Sequence, residues 1–208
     1  SVLMNLGEKE KELISKKIEN LEKLSSAELV AVITKKSGDY RYINTLINIF
    51  VIFVISFFLI FFFDFSPIQL LEIQLLSFIG FYLFFEKFDN LILNLLPKSY
   101  KREKASLNAH EQFSNLGLNR TKTNQAIMFF VSLDEKYVEI ITDKTICEKI
   151  KDDYWQTIVD EFVKDVKNNN LSNGYLKAMD SCSEVLIKEF PIAKDDENEL
   201  ANNVIELR

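Results

Sequence analysis

Hydrophobic residues along this chain follow three rhythms, and each predicts a different kind of element. Near the start, Leu13, Ile14, Ile18, Leu21 and Leu24 recur at helical spacing among lysines and glutamates, so a helix is predicted over residues 7–24. Ser25 and Ser26 end it, and Leu29, Val30, Val32 and Ile33 make a short β-suited run before the turn-like "KSGDY". Then polar residues nearly vanish. Residues 42–63 carry no charge, and after Asp64 and the turn signal "FSP" a second apolar run covers residues 68–85 with Glu72 as its only charge. A bilayer's hydrocarbon layer is crossed by about 20 apolar residues in helical form. Two buried helices of a soluble core are the alternative, but such helices keep a polar stripe. The first run has little beyond Asn44, Asn48 and Ser56. We therefore expect a transmembrane helical hairpin with spans at 42–63 and 68–85. Up to Pro97, Leu91, Ile92, Leu95 and Leu96 alternate with Asp89, Asn90 and Asn94, an amphipathic segment that extends the span or lies in the headgroups.

Mixed patterns return afterwards. Residues 100–116 read as a helix stopped by Gly117. "AIMFFVS" (126–132) is a buried-strand run, "LDEK" a hairpin turn and "YVEIIT" (137–142) its partner strand. A short helix follows near 145–150, where Thr145 and Glu148 have capping-box spacing. Residues 152–167 place Trp155, Ile158, Val159, Phe162, Val163 and Val166 on one helical face. "NNNLSNG" separates this from a last helix, 175–190, closed by Pro191. The tail, 193–208, is acidic and polar, with Leu200, Val204 and Ile205 able to seat one more helical turn. A lone strand near residue 30 leaves its backbone unsatisfied, so it should pair with 126–132 or 137–142. Residues 1–40 and 98–192 are then one discontinuous α/β domain, and 41–97 is an insertion in it.

Charge sets the orientation. Lys35, Lys36 and Arg41 precede the first span and Lys98, Lys101, Arg102 and Lys104 follow the second, while the turn has no Lys or Arg. By the positive-inside rule both hydrophilic parts and both termini are cytoplasmic. The net charge of −6 excludes a globally basic nucleic-acid surface. Cys147 and Cys182 read as small buried hydrophobes of a reducing compartment, and with one histidine, His110, a structural zinc site is excluded.

Several stretches together resemble a known family. "SSAEL" (25–29), "AHEQFSNLGLNRTK" (109–122), "FFVSLDEKYVEIITDKTI" (129–146), Trp155 and "LIKEFP" (186–191) are similar in order and spacing to the TPM domain. That family is named after thylakoid lumen, photosystem-repair and acetylcholine-receptor-modulating proteins, and the similarity is to its short bacterial membrane-bound branch. The resemblance implies a three-layer α/β fold with a small central sheet flanked by helices, here interrupted by the hairpin, in the bacterial inner membrane. Two departures stand out: Ala126 replaces a usual glycine, and Asp143, Lys144, Thr145 and Ile146 stand where the family has D-R-G-I.

The resemblance also implies where chemistry would sit. Calcium binding and weak acid phosphatase activity are associated with related domains, which directs attention to Asp143, just past a strand. Glu28 and Asp134 or Glu135 are the acidic residues expected to join it if Ca2+ binds. The competing reading is that Asp143 caps the following helix. His110 lies on a charged helix and reads as a surface residue, and Ser25 and Ser26 as helix-end residues. No Cys-x5-Arg loop, Asp-x-Asp motif or His/Asp metal ladder is present in the sequence, so no catalytic residue is identified. The expected function is a membrane-anchored interaction or assembly module. Its partners would be the lipid bilayer and another membrane protein or a second copy, without nucleic acid. The alternative is a weak, divalent-ion-dependent phosphatase at the membrane surface.

Overall fold

The structure, a computed structural model, describes residues 6–192, 200 and 202–207. In chain order the elements are α1 (Glu8–Glu22), β1 (Glu28–Thr34), α2 (Arg41–Phe62), α3 (Pro67–Lys87), α4 (Asp89–Leu95), α5 (Lys98–Asn115), β2 (Ala126–Ser132), β3 (Tyr137–Thr142), α6 (Lys144–Lys149), α7 (Asp152–Lys167), α8 (Leu171–Glu189) and β4 (Ile205–Leu207). They pack as two compact units, one drawn from Ser1–Ser37 and Arg102–Arg208, the other Gly38–Lys101.

The first unit is a mixed four-stranded sheet, ordered β3-β2-β1-β4 and flanked by helices. β1 and β2 run parallel in register from Glu28↔Ala126 to Thr34↔Ser132, although a helical hairpin separates them in sequence. Of the two partners open to the early strand, β2 is the one it takes. Every residue of β1 and β2 is buried, as expected of central strands covered on both faces. Alternation divides them: Leu29, Ala31, Ile33, Ile127, Phe129 and Val131 join the core under α1, α7 and α8. Val30, Val32, Met128 and Phe130 join the smaller core under α5, with Ala109 and Phe113. Phe129, Phe162 and Tyr175 meet edge to face with ring centroids 5.1–5.2 Å apart at the centre of the larger core.

Four local expectations are corrected. The last helix starts at Leu171 rather than 175, because Gly174 lets α8 approach α7 closely; a Cβ there would lie 3.1 Å from that of Asp165 and 3.3 Å from the Phe162 ring. In place of a helical turn on Leu200, Val204 and Ile205, Ile205–Leu207 forms β4, parallel to β1, since the open edge of β1 offers backbone partners. The rest of the acidic tail, 193–199, 201 and 208, lies outside the described residues. Asp143, not Thr145, caps α6. Cys147 is exposed while Cys182 is buried, and both are free thiols.

The second unit is a helical hairpin. Ser66 starts α3 with a capping box: its Oγ accepts from the Gln69 N–H, Gln69 Oε1 accepts from the Ser66 N–H at 2.9 Å, and Pro67 fills the first helical position. Between the helices, Asn48 Nδ2 donates to the Phe78 carbonyl at 3.1 Å and Gln74 Nε2 to Ser56 Oγ at 2.8 Å. Outward, the unit is apolar: Phe53, Phe57 and Phe61 are 68%, 63% and 75% exposed. α2 and α3 are both long and apolar enough to cross a membrane.

Candidate functional site

The sheet brings two of the sequence-predicted acidic residues to one end and sends the third to the other. Glu28 opens β1 opposite Ala126, and the Asp143 N–H donates to the Ala126 carbonyl at 2.8 Å just past β3. Their backbones thus flank Ala126 on either side, about 10 Å apart by two inter-strand spacings. Asp143 caps α6: Oδ1 accepts from the Lys144 N–H at 2.7 Å, while Oδ2 is buried and makes no hydrogen bond among the described residues. Its backbone is ordinary, with φ −73° and ψ 167°, so no glycine is needed beside it and the departure at Thr145 is absorbed by the helix. The Thr121 hydroxyl, 5% exposed in the loop that leads to β2, is also buried without a hydrogen bond.

Glu28 is itself buried, and its neighbour at this end was not foreseen. Burial, then the charge of Glu28, pushes the Glu22 carboxyl up to about 8, while a hydrogen bond from Asn202 pulls the other way. Glu22 ends an amphipathic helix, where a charged residue ordinarily faces water, so spacing alone carries no sign of this pairing. Ser25 and Ser26, read as helix-end residues, anchor the same corner. Ser25 Oγ donates to the Phe190 carbonyl at 2.7 Å and Ser26 Oγ to Gln125 Oε1 at 2.7 Å.

Asp134 lies beyond the opposite end of β2, its N–H bonded to the Lys35 carbonyl, about 20 Å away along a seven-residue strand. Beside it Glu135 is buried, accepting from the Ser37 N–H at 3.0 Å and from Ser132 Oγ at 2.5 Å, with Ser37 Oγ donating to Ser132 at 2.7 Å. Glu135 therefore holds the hairpin turn to the segment after β1. Asp134 and Glu135 do not meet Asp143. Among the described residues no group of three or more His, Cys, Asp or Glu side chains could hold a metal ion. Calcium takes six to eight oxygens, and with one Asp143 oxygen committed to the helix cap the residues present do not fit that ion. His110 is exposed, with Nε2 3.3 Å from Glu139 Oε1, as expected of a surface residue.

Along the outer sheet edge lies a groove that the sequence reading missed. β3 is an edge strand, and α7 packs beside it. A polar cavity of about 260 Å3 is lined by Thr142, Asp152, Trp155 and Gln156, among others. A mainly apolar one of about 300 Å3, lined by Phe162, Val163, Val166 and Lys167, continues it, and both share Tyr137 and Val138. Trp155, 4% exposed, lines the polar part with its Nε1–H buried and without a hydrogen-bond partner. The helical stripe in residues 152–167 announces the apolar floor; the unsatisfied indole leaves no trace in sequence.

Comparison with known proteins agrees with this architecture. Comparison with curated proteins yields no match. The NMR structure of BA42 protein from the psychrophilic bacterium Bizionia argentinensis superposes with a TM-score of 0.61 at 19% identity, covering 97% of this chain and 95% of that one. That likeness shows the fold. Residues 92–185 match the sequence model described as the TPM domain, from α4 into α8 and including β2, β3 and α7, so this part of the chain is similar to that domain.

Proposed function

We propose that the protein is a membrane-anchored interaction module: the hairpin spans the bacterial inner membrane twice and the TPM unit binds a membrane protein from the cytoplasmic side. The observation that carries this reading is the register of β1 with β2. These strands pair over seven residues across the hairpin, so the chain entering a bilayer after β1 must return to the same side before β2 is made. Lysines and arginines flank both ends of the hairpin and are absent from its turn, which favours the cytoplasm for that side. A folded unit held by two crossings is suited to staying with a partner in the same membrane, either another protein or a second copy. Purification in mild detergent is expected to recover a stoichiometric partner. Repeated recovery of the monomer alone contradicts the proposal.

A second reading, phosphomonoester hydrolysis at the membrane surface, is favoured by one detail, the buried and unbonded Oδ2 of Asp143. It requires purified protein to turn over a generic phosphomonoester and Asp143→Asn to abolish the activity. Equal rates in both proteins discard it.

A further inference from the structure

We propose that the groove between β3 and α7 is a peptide-binding site. It takes an extended segment of a partner protein as a fifth strand of the sheet, apolar at alternate positions and acidic at the end beside Lys136 and Lys167. This deepens the interaction-module reading and rests on it.

The backbone supplies the first argument. Asp143 and Ala126 are a hydrogen-bonded antiparallel pair. Such pairs alternate along a ladder, so Tyr137, Glu139 and Ile141 direct their N–H and C=O groups to β2. Val138, Ile140 and Thr142 direct theirs to the open edge, where no hydrogen bond reaches them among the described residues. Proteins commonly protect such an edge or use it to capture a strand. Here a helix lies alongside and leaves a slot, with Val138 and Ile140 on one wall and Val159 and Val163 on the other.

The indole supplies the second. A buried N–H without an acceptor costs on the order of 1–3 kcal/mol, and Trp155, one of the residues lining the slot, carries such a donor at Nε1. A main-chain or side-chain oxygen of an inserted strand would satisfy it.

Charge selects the occupant and its direction. Lys136 and Lys167, both exposed, line the end where β3 begins, and Asp152 lines the end where it finishes. A strand whose C-terminal end is acidic therefore lies antiparallel to β3, with that end beside the lysines.

Trp155 is the only tryptophan, so the full chain in detergent micelles carries its own probe. The peptide to use is acetyl-Val-Thr-Val-Thr-Val-Asp-amide. It is expected to shift Trp155 emission and the indole N–H resonance saturably. A version N-methylated at the residues facing β3 should bind roughly tenfold more weakly or worse, since each lost hydrogen bond contributes about 1 kcal/mol. Val159→Arg fills the slot and should lower affinity to a similar extent. Lys136→Glu with Lys167→Glu should favour a lysine-ended peptide over the aspartate-ended one.

Absence of any peptide-dependent shift, or equal binding of the N-methylated peptide, overturns the proposal. If Val159→Arg fails to fold, the N-methyl comparison on the unaltered chain decides. A Trp155 shift that follows protein concentration without peptide puts a second copy in the groove and also overturns it. A partner recovered equally with the unaltered chain and with folded Val159→Arg removes the groove and leaves the interaction module standing. Saturable peptide binding with no recovered partner keeps the groove and removes the module reading.

Discussion

The two units use phenylalanine in opposite ways. In the α/β unit Phe129, Phe130 and Phe162 are at most 2% exposed, whereas in the hairpin Phe53, Phe57 and Phe61 are all more than 60% exposed. In water, exposing rings of this size forfeits about 1.5–3 kcal/mol each, so the hairpin's outward face is matched to hydrocarbon. The polar groups are inverted too. The hairpin turns Asn48 and the Ser56–Gln74 pair inward as contacts between helices, while the α/β unit keeps most of its charge outside. The difference teaches that one chain carries two units with opposite apolar surfaces, and that the hairpin unit is inserted in sequence between two strands that pair.

The largest effect that tests this contrast is loss of a ring. Phe129→Ala should destabilise the α/β unit by about 3–5 kcal/mol through the cavity it leaves among Phe162 and Tyr175. Phe57→Ala should change the same transition by no more than about 0.5 kcal/mol. Trp155 emission during chemical denaturation reports this unit alone, and equal losses in both variants would contradict the division.

The next effect is pH. The folded chain raises the Glu22 carboxyl to about 8, above its ordinary value near 4.5, chiefly by burial and then by Glu28. Folding therefore holds that proton more tightly than the unfolded chain does. The contribution is complete below pH 4.5 and is lost progressively as pH rises through about 8. Glu22→Gln should flatten this part of the stability profile, and an unchanged slope would refute the assignment.

The smallest effect belongs to the hairpin. Asn48→Leu removes the bond to the Phe78 carbonyl and should cost about 0.6 kcal/mol, the usual scale between helices in lipid. Hydrogen exchange should show looser hairpin amides, with the Trp155-monitored transition unmoved.

Strong local patterns made much of this legible. The stripe of α7, the apolar run of β2 and the two long apolar runs of the hairpin each show openly in the sequence, and the pairing of β1 followed from the cost of a lone strand. Elements decided by a distant partner were hidden. β4 is three residues long and has meaning only beside β1. Gly174 reads as a loop residue until α7 is placed against it. Asp134 lies nine positions before Asp143, but the intervening strand carries them to opposite ends of the sheet. Cys147 was expected inside because Ile146 is apolar, yet only Ile146 of the short α6 is buried. At the acidic end Glu28 and Asp143 were visible as candidates, whereas the Glu22–Glu28 pairing and the orphaned Trp155 donor depend on packing that no local pattern encodes.

The measurement closest to the central claim uses a residue already present. Cys147 is exposed, whereas burial pushes the Cys182 thiol up to about 12 and keeps it unreactive. With a membrane-impermeant maleimide added to spheroplasts, the account predicts no labelling of the intact protein and single labelling at Cys147 once the membrane is permeabilised. Labelling of Cys147 in intact spheroplasts would place the α/β unit on the outer side and contradict it.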